Sequence, residues 1–64
     1  MATNLRMKAA RVLRGLTQMQ LAEQIGLKEI EISRLETGRA RPAPDLRRRI
    51  AAILQKPTYE IFDC

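Results

Sequence analysis

The side chains that carry most enzymatic and metal chemistry are nearly missing from this sequence. It has no histidine, and its one cysteine, Cys64, is the last residue. A zinc site needs several Cys, His or carboxylate ligands, and a nucleophile needs a base beside it. We therefore expect no metal, no cofactor, no internal disulfide and no enzymatic activity, and a terminal thiol at Cys64 that has no function.

The chemistry that remains is electrostatic. Twelve Lys and Arg stand against seven Asp and Glu in 64 residues, which gives a formal charge of +5. Such an excess suits a polyanionic partner, nucleic acid first and an anionic membrane second. The longest apolar run, Ile50 to Leu54, is too short to span a bilayer. Basic residues interrupt the N-terminal segment, so no signal peptide is predicted and a cytoplasmic location is expected.

The elements that must position these charges are predicted to be five short helices in one domain, residues 1–64. No segment shows the alternation of a strand, so the fold class is all-α. Helix starts and stops are marked by Asn4 and Thr17 as N-caps, by Pro44 in a first turn, and by three glycines. The predicted ranges are 5–14, 18–25, 28 or 29 to 37, 44–54, and a last turn after Pro57.

The predicted core is aliphatic, because the chain has one Phe, one Tyr and no Trp. Apolar residues recur at helical spacing within each predicted helix. The residues expected to face inward are Met7, Ala10 and Leu13; Leu21, Ala22 and Ile25; Leu27, Ile32 and Leu35; Leu46, Ile50, Ile53 and Leu54; and Tyr59, Ile61 and Phe62 at the end of the chain.

The stretch from Leu16 to Gly38, LTQMQLAEQIGLKEIEISRLETG, carries the functional pattern. Two short helices joined at Gly26 and Leu27 must cross steeply, because the link is too short for an antiparallel hairpin. Small Ala22 permits the close approach, and the outer face of the second helix is left free. A helix-turn-helix over about residues 17–37 is therefore predicted.

These residues resemble the Cro and phage-repressor family, also called the xenobiotic-response-element helix-turn-helix family. The matching positions are Leu16-Thr17-Gln18, Leu21-Ala22, Ile25-Gly26, Ile32-Ser33-Arg34-Leu35-Glu36 and Gly38, with Arg11, Pro42, Ile50-Ala51 and Ile61-Phe62 outside the motif. The resemblance covers roughly residues 5 to 62. It implies a lambda-repressor-like fold in which the second and third helices form the DNA-binding unit.

The resemblance also implies roles for single positions. Base edges would be read by Lys28, Glu29, Ile30 and Arg34, and DNA phosphates would be contacted by Gln18, Ser33, Arg39 and Arg41. In the family the positions of Arg11 and Glu36 commonly form a partly buried ion pair, whose role here would be structural.

Several of these residues have a second interpretation. Gln18 is otherwise only an exposed first-turn residue, and Arg34 otherwise pairs with Glu31 or Glu29. Arg39 and Arg41 otherwise only solubilise their loop. Glu29 either accepts from a cytosine amino group or, like Ile30, marks a helix that binds protein. The run 47–49 is expected to be mostly solvated surface, with one arginine that reaches a phosphate.

The function that the resemblance implies is sequence-specific binding of double-stranded DNA by a transcriptional repressor. We expect a homodimer on a pseudo-palindromic operator, with only weak self-association in the absence of DNA and with subunit contacts around Tyr59, Ile61 and Phe62. Binding to DNA would place the protein at the nucleoid. The alternatives are an antitoxin, or a protein-interaction module that reuses the fold and has a protein partner. No membrane partner is expected.

Overall fold

The computed structural model describes residues 3–62, so the thiol of Cys64 lies outside the described residues. Within this range the chain forms helices and no strand, in agreement with the predicted all-α class. The five helices are α1 (Leu5–Leu13), α2 (Gln18–Ile25), α3 (Glu29–Glu36), α4 (Pro44–Leu54) and α5 (Thr58–Ile61). None of the helices in residues 3–62 is long and apolar enough to cross a membrane.

The helix starts follow local hydrogen bonding. The Asn4 side chain accepts from the Met7 backbone N–H at 2.9 Å and so caps α1. Thr17 and Gln20 form a capping box, in which the Gln20 N–H donates to Thr17 Oγ1 at 3.0 Å and the Thr17 N–H donates to Gln20 Oε1 at 2.9 Å. Pro44 occupies the first position of α4, where its missing N–H costs nothing.

The turn between α2 and α3 depends on Gly26, whose φ of 86° lies in the left-handed region. A residue with a Cβ enters that region only at a cost of about 1–2 kcal/mol. The N–H groups of Gly26 and Leu27 both donate to the Ala22 carbonyl, at 2.8 and 2.9 Å. These bonds close the C-terminus of α2 and turn the chain directly into α3.

The residue that ends α4 has a left-handed conformation that was not predicted from the sequence. Gln55 follows its last residue with φ 58° and ψ 43°, the left-handed conformation usually taken by glycine. α2 and α4 end at Ile25 and Leu54, as predicted, whereas the ends of α1 and α3 differ from the predictions by one residue. α1 ends at Leu13 and not at Arg14, and α3 ends at Glu36, with Thr37 as its C-cap.

One core joins all five helices, and α2 packs chiefly against α3. Ala22, at 2% exposure, lies inside the unit that these two helices form. Leu16, Leu27, Leu46 and Ile53 pack against the core at partial burial. The buried apolar residues are Met7, Ala10, Leu21, Ala22, Ile25, Ile32, Leu35, Ile50, Ala51, Leu54, Ile61 and Phe62.

Two predicted core positions are wrong. Leu13 is 77% exposed, because the inward face of α1 consists of Met7, Ala10 and Arg11. Residues spaced by three do not return to the same side of a helix with 3.6 residues per turn, so Leu13 lies outside this face. Tyr59 is 66% exposed and points away from the end of the core that it was expected to cover.

The predicted subunit contact also needs correction. Ile61 is 1% exposed and Phe62 is 6% exposed, since α5 packs against both α1 and α4. Neither side chain is available to a second subunit in this conformation. Of the three residues predicted for the contact, Tyr59 alone is exposed.

Candidate nucleic-acid interface

The outer face of α3 carries three of the eight residues that were predicted to touch DNA. Residues three, four and seven apart share one face of a helix, so Ile30, Ser33, Arg34 and Thr37 lie along a single stripe. Ile30 is 53% exposed, Arg34 and Thr37 are exposed, and Ser33 is half-buried. A shallow depression runs along this stripe, lined by Thr3, Ile30, Ser33, Arg34, Thr37 and Arg39.

Thr3 and Thr37 were not predicted as site residues. Thr37 is exposed and lines the depression, and its Oγ1 donates to the Ser33 carbonyl at 2.9 Å. Thr37 is seven residues after Ile30 and three after Arg34, and this spacing could have predicted its position on the stripe. Thr3 is brought to the stripe by the backbone, since the Asn4 N–H donates to the Glu36 carbonyl at 2.8 Å. That contact could not be seen in the sequence.

The two acidic residues in the first turn of α3 have different surroundings. Glu31 Oε2 accepts from the Lys28 backbone N–H at 2.9 Å, so this carboxylate caps the start of its own helix. A negative charge there is also favoured by the helix dipole. Glu29 and the Lys28 side chain are exposed at the same end of the stripe. Glu31 is therefore explained by helix capping and need not contact DNA.

Arg34 has no ion pair with Glu29 or Glu31 among residues 3–62. Its backbone carbonyl accepts from the N–H groups of Arg39 and Ala40, at 2.9 and 3.2 Å. These two bonds hold the start of the basic loop against the end of α3. The Arg34 and Arg39 side chains therefore line the same depression, whereas Arg41 is exposed two residues further along the loop.

Arg11 and Glu36 form a buried ion pair. Arg11 Nε donates to Glu36 Oε2 at 2.6 Å and Nη2 donates to Oε1 at 3.3 Å. The third donor, Nη1, reaches the Leu16 carbonyl at 2.7 Å. Arg11 is 7% exposed and Glu36 is 4% exposed. The pair joins α1 to the end of α3 and also fixes the segment that leads into α2.

Gln18 is connected to this pair. Its Nε2 donates to Glu36 Oε1 at 3.0 Å, and the side chain is half-buried. It is the first residue of α2, where backbone N–H groups have no partner within the helix. The amide of Gln18 therefore has a fixed orientation at the N-terminus of α2. It is more than the exposed first-turn residue of the second interpretation.

The arginines of α4 do not form a separate basic patch. Arg49 Nη2 donates to the Ile25 carbonyl at 2.6 Å, which closes the C-terminus of α2, and Arg48 pairs with Asp45 in the same helix. Arg47 also takes part in an interaction within the protein. Arg48 and Arg49 are exposed and Arg47 is half-buried, as expected for a mostly solvated run, but the sequence did not indicate the Arg49 hydrogen bond, whose partner lies 24 residues away.

The site is thus the outer face of a short helix whose inner face packs in the core. Lys28 lies at the start of this helix, Arg34 and Arg39 lie toward its end, and the Gln18 amide lies on the preceding helix. Residues 3–62 contain no group of three or more side chains that could hold a metal ion. A helix-turn-helix with an exposed second helix defines the class of DNA-binding domains built on this motif.

Comparison with known proteins identifies the family. The model of the helix-turn-helix family matches residues 7–61, and the chain belongs to this family. The resemblance to Cro and phage repressors is thereby confirmed. No curated protein matches the chain.

One similar solved structure is the crystal structure of Bacillus thuringiensis PlcR in complex with the peptide PapR7 and DNA. The TM-score is 0.79 and the sequence identity is 45%, over 94% of this chain. The match covers 22% of that chain, so this chain spans less than a quarter of the length of its structural relative. The similarity supports a lambda-repressor-like fold for the five helices.

Proposed function

We propose that this chain is a sequence-specific DNA-binding domain, residues 1–64, that acts as a transcriptional repressor. The observation that carries the proposal is the outer stripe of α3, where Ile30 and Arg34 are exposed. Two groups near the C-terminal end of this helix would anchor it on the DNA backbone: Gln18 at the start of α2, which contacts Glu36, and Arg39 in the loop after α3. Phosphate contacts fix the register of a protein on the duplex, and base contacts carry the specificity. The protein would act at the nucleoid.

The base-reading residues we propose are Arg34, Ile30, Lys28 and Glu29. Arg34 has no acidic partner among the described residues, so its guanidinium can donate two hydrogen bonds to a guanine edge. Ile30 would contact a thymine methyl group. Lys28 and Glu29 would approach bases from the start of the helix, and Glu29 would accept from a cytosine amino group.

The phosphate-binding residues we propose are Gln18, Ser33, Arg39 and Arg41. Gln18 uses one of its two amide N–H donors on Glu36, which leaves the second N–H and the first-turn backbone amides of α2 for a phosphate oxygen. Glu36 thus orients this amide. Arg39 is held beside α3 by its own backbone, and Arg41 follows on the same loop. Ser33 is the weakest of the four, because it is half-buried between its neighbours.

We further propose that two copies bind a pseudo-palindromic operator. Half-sites for such motifs lie about 34 Å apart, one turn of DNA. The widest Cα extent of the domain is 24 Å. Two bodies at that spacing leave at least about 10 Å between their Cα surfaces, which is wider than the roughly 3–5 Å between the Cα surfaces of directly packed helices. The contact is therefore narrow, and with Ile61 and Phe62 internal we expect the dimer to form on DNA and not in free solution.

In vitro selection of bound duplexes tests the proposal. The expected outcome is an enriched pseudo-palindrome with half-sites about one helical turn apart, and binding with a slope of roughly −5 to −7 in log K against log salt for six to eight phosphate contacts. A pool that enriches no motif at moderate salt contradicts specific recognition. That result would favour the interaction-module alternative.

A further inference from the structure

Ile30 is an exposed hydrophobic residue on α3 that the fold does not require. Its side chain is 53% exposed, whereas Ile32 and Leu35 are the buried apolar residues of this helix. Isoleucine is also a poorer helix former than alanine, lysine or glutamate, so helix propensity does not favour it at an exposed position. What Ile30 contacts must therefore be a ligand of the outer face of α3.

The surface around Ile30 is polar and cationic. The depression along the outer face of α3 is lined by two arginines, Arg34 and Arg39, and by three residues with a hydroxyl group. Ile30 is the one large hydrophobic residue among the described residues that line it. Surfaces that bind proteins through apolar contact expose large contiguous patches, which a single isoleucine beside arginines does not provide. An isolated apolar group in a polar, anionic ligand fits this surface, and the C5 methyl group of a pyrimidine in the major groove is such a group.

Ile30 and Arg34 lie one helical turn apart on the same stripe. Cβ atoms four residues apart in a helix are about 5–6 Å from each other. Successive bases along one DNA strand are about 3.4 Å apart. When Arg34 donates to the O6 and N7 atoms of a guanine, Ile30 therefore lies over a base within about two base pairs of that guanine.

Isoleucine can identify a pyrimidine only by its methyl group. The side chain neither donates nor accepts hydrogen bonds, so it does not distinguish the O4 acceptor of thymine from the N4 donor of cytosine. Deoxyuridine keeps the O4 acceptor and lacks the methyl group, and 5-methylcytosine keeps the N4 donor and carries the methyl group. Ile30 would therefore group thymine with 5-methylcytosine, and cytosine with deoxyuridine.

We propose that Ile30 and Arg34 together read a guanine and, within about two base pairs of it, a pyrimidine that carries a C5 methyl group. Arg34 identifies the guanine, and the methyl group in contact with Ile30 identifies the pyrimidine. 5-Methylcytosine then takes the place of thymine, so methylation of a cytosine at this position strengthens binding. The inference rests on the proposed function, because it requires the outer face of α3 to lie in the major groove.

Binding of the whole chain to duplexes that differ in one pyrimidine tests the proposal. The parent duplex is the one obtained by in vitro selection, and its critical guanine is the base whose preference Arg34→Ala relaxes. Each pyrimidine near that guanine is made in turn as thymine, deoxyuridine, cytosine or 5-methylcytosine. The dissociation constants are measured by fluorescence anisotropy.

At one of these positions the methyl group should strengthen binding. Replacement of thymine by deoxyuridine should weaken binding about fourfold per half-site, or about 0.8 kcal/mol, because one buried methyl-sized group is lost. Replacement of cytosine by 5-methylcytosine at the same position should strengthen binding by the same factor. Because the change is made in the DNA, neither ratio depends on the stability of a protein variant.

A substitution then assigns the methyl contact to Ile30. Ile30→Ala shortens the side chain at an exposed position and introduces a better helix former, so it should keep the melting temperature of the parent. In this variant both methyl ratios should fall close to one. Val12→Ala, at a 58% exposed position on α1, is the matched control and should keep both ratios unchanged.

Three outcomes would overturn the inference and leave the proposed function standing. Equal binding of thymine and deoxyuridine duplexes at every tested position would show that no methyl group is read. A penalty for deoxyuridine without a gain from 5-methylcytosine would show that another atom identifies the base. Methyl ratios that persist in Ile30→Ala would assign the contact to a different residue. A selection that enriches no motif would instead contradict the proposed function, and the inference with it.

Discussion

Replacement of Glu36 by alanine should cost a large part of the stability of this domain. Glu36 is 4% exposed and accepts two hydrogen bonds from Arg11 and one from Gln18. The substitution leaves the Arg11 guanidinium buried with the Leu16 carbonyl as its one remaining partner among these groups. Loss of one member of a buried ion pair typically costs about 3–5 kcal/mol.

That loss must be compared with the total free energy of unfolding. Domains have roughly 0.05–0.15 kcal/mol per residue, which for 64 residues gives roughly 3–10 kcal/mol. Glu36→Ala should therefore leave much of the population unfolded at 37 °C. Arg11→Ala should have a similar effect, because it leaves the Glu36 carboxylate buried with Gln18 as its one side-chain donor.

Urea denaturation followed by far-ultraviolet circular dichroism measures the effect. The matched control is Asp45→Ala, which breaks an ion pair with Arg48 whose side chains are 87% and 68% exposed. Exposed pairs contribute about 0–1 kcal/mol, and the first-turn position of Asp45 adds about 0.3–1 kcal/mol of dipole interaction. If Glu36→Ala costs no more than Asp45→Ala, the buried pair does not stabilise the fold as argued.

A double substitution separates the charge from the packing. Arg11→Met with Glu36→Leu removes both charges and replaces them by apolar side chains of similar length. Because no buried charge is then left unpaired, the double variant should be more stable than either single variant. It should remain less stable than the parent, since the Leu16 carbonyl and the half-buried Gln18 amide lose their partners, at about 1–3 kcal/mol each where burial is deep.

Three further predictions concern DNA binding and packing. Arg34→Ala should cost about 1–3 kcal/mol on the selected site and relax the preference at one base pair, whereas Arg39→Ala should weaken binding to all duplexes by similar factors; equal losses on specific and random DNA would make Arg34 a phosphate contact. Arg49→Met should lower the free energy of unfolding by about 0.5–1.5 kcal/mol, because the Ile25 carbonyl loses its arginine donor at a site where Arg49 is itself exposed to water, and an unchanged urea midpoint would contradict this. Sedimentation should show a monomer in free solution and two copies on the selected duplex, and Tyr59→Ser should weaken the second binding step; one copy per duplex on an asymmetric site would refute the dimer.

The helix order could be predicted because its determinants are local. Asn4 and Thr17 cap the helices that follow them, and Pro44 begins α4, as the sequence predicts. Gln55 shows the limit of that approach: it stops α4 in a left-handed conformation although its residue type gives no warning. At such a position the packing of the following segment decides the backbone, and local preference does not.

The inward face of α1 could not be predicted from hydrophobicity. Arg11 takes a buried position that a hydrophobic pattern gives to an apolar residue, and Leu13 is exposed instead. The position of Arg11 is favoured because Glu36 and the Leu16 carbonyl give each of its three guanidinium nitrogens a hydrogen-bond partner. Because the partner Glu36 is 25 residues away, the pattern of residues within α1 cannot predict this ion pair. The burial of Phe62 has a similar origin, in the packing of α5 on α1 and α4.

The candidate site depends on the same distant contacts. The sequence places Arg34 and Ile30 on the outer face of α3, since Ile32 and Leu35 must face the core. It does not show that Glu36, on the inner face, accepts a hydrogen bond from Gln18 on the preceding helix. The residue that stabilises the fold therefore also orients the amide proposed to bind phosphate. Glu36 substitutions should lower DNA affinity beyond the fraction of unfolded protein, whereas Arg39 substitutions should lower DNA affinity and leave stability unchanged. If the inner and outer faces of α3 act independently, Glu36 variants should lose DNA affinity only in proportion to the unfolded fraction. A larger loss would show that the Glu36 carboxylate links folding to DNA binding.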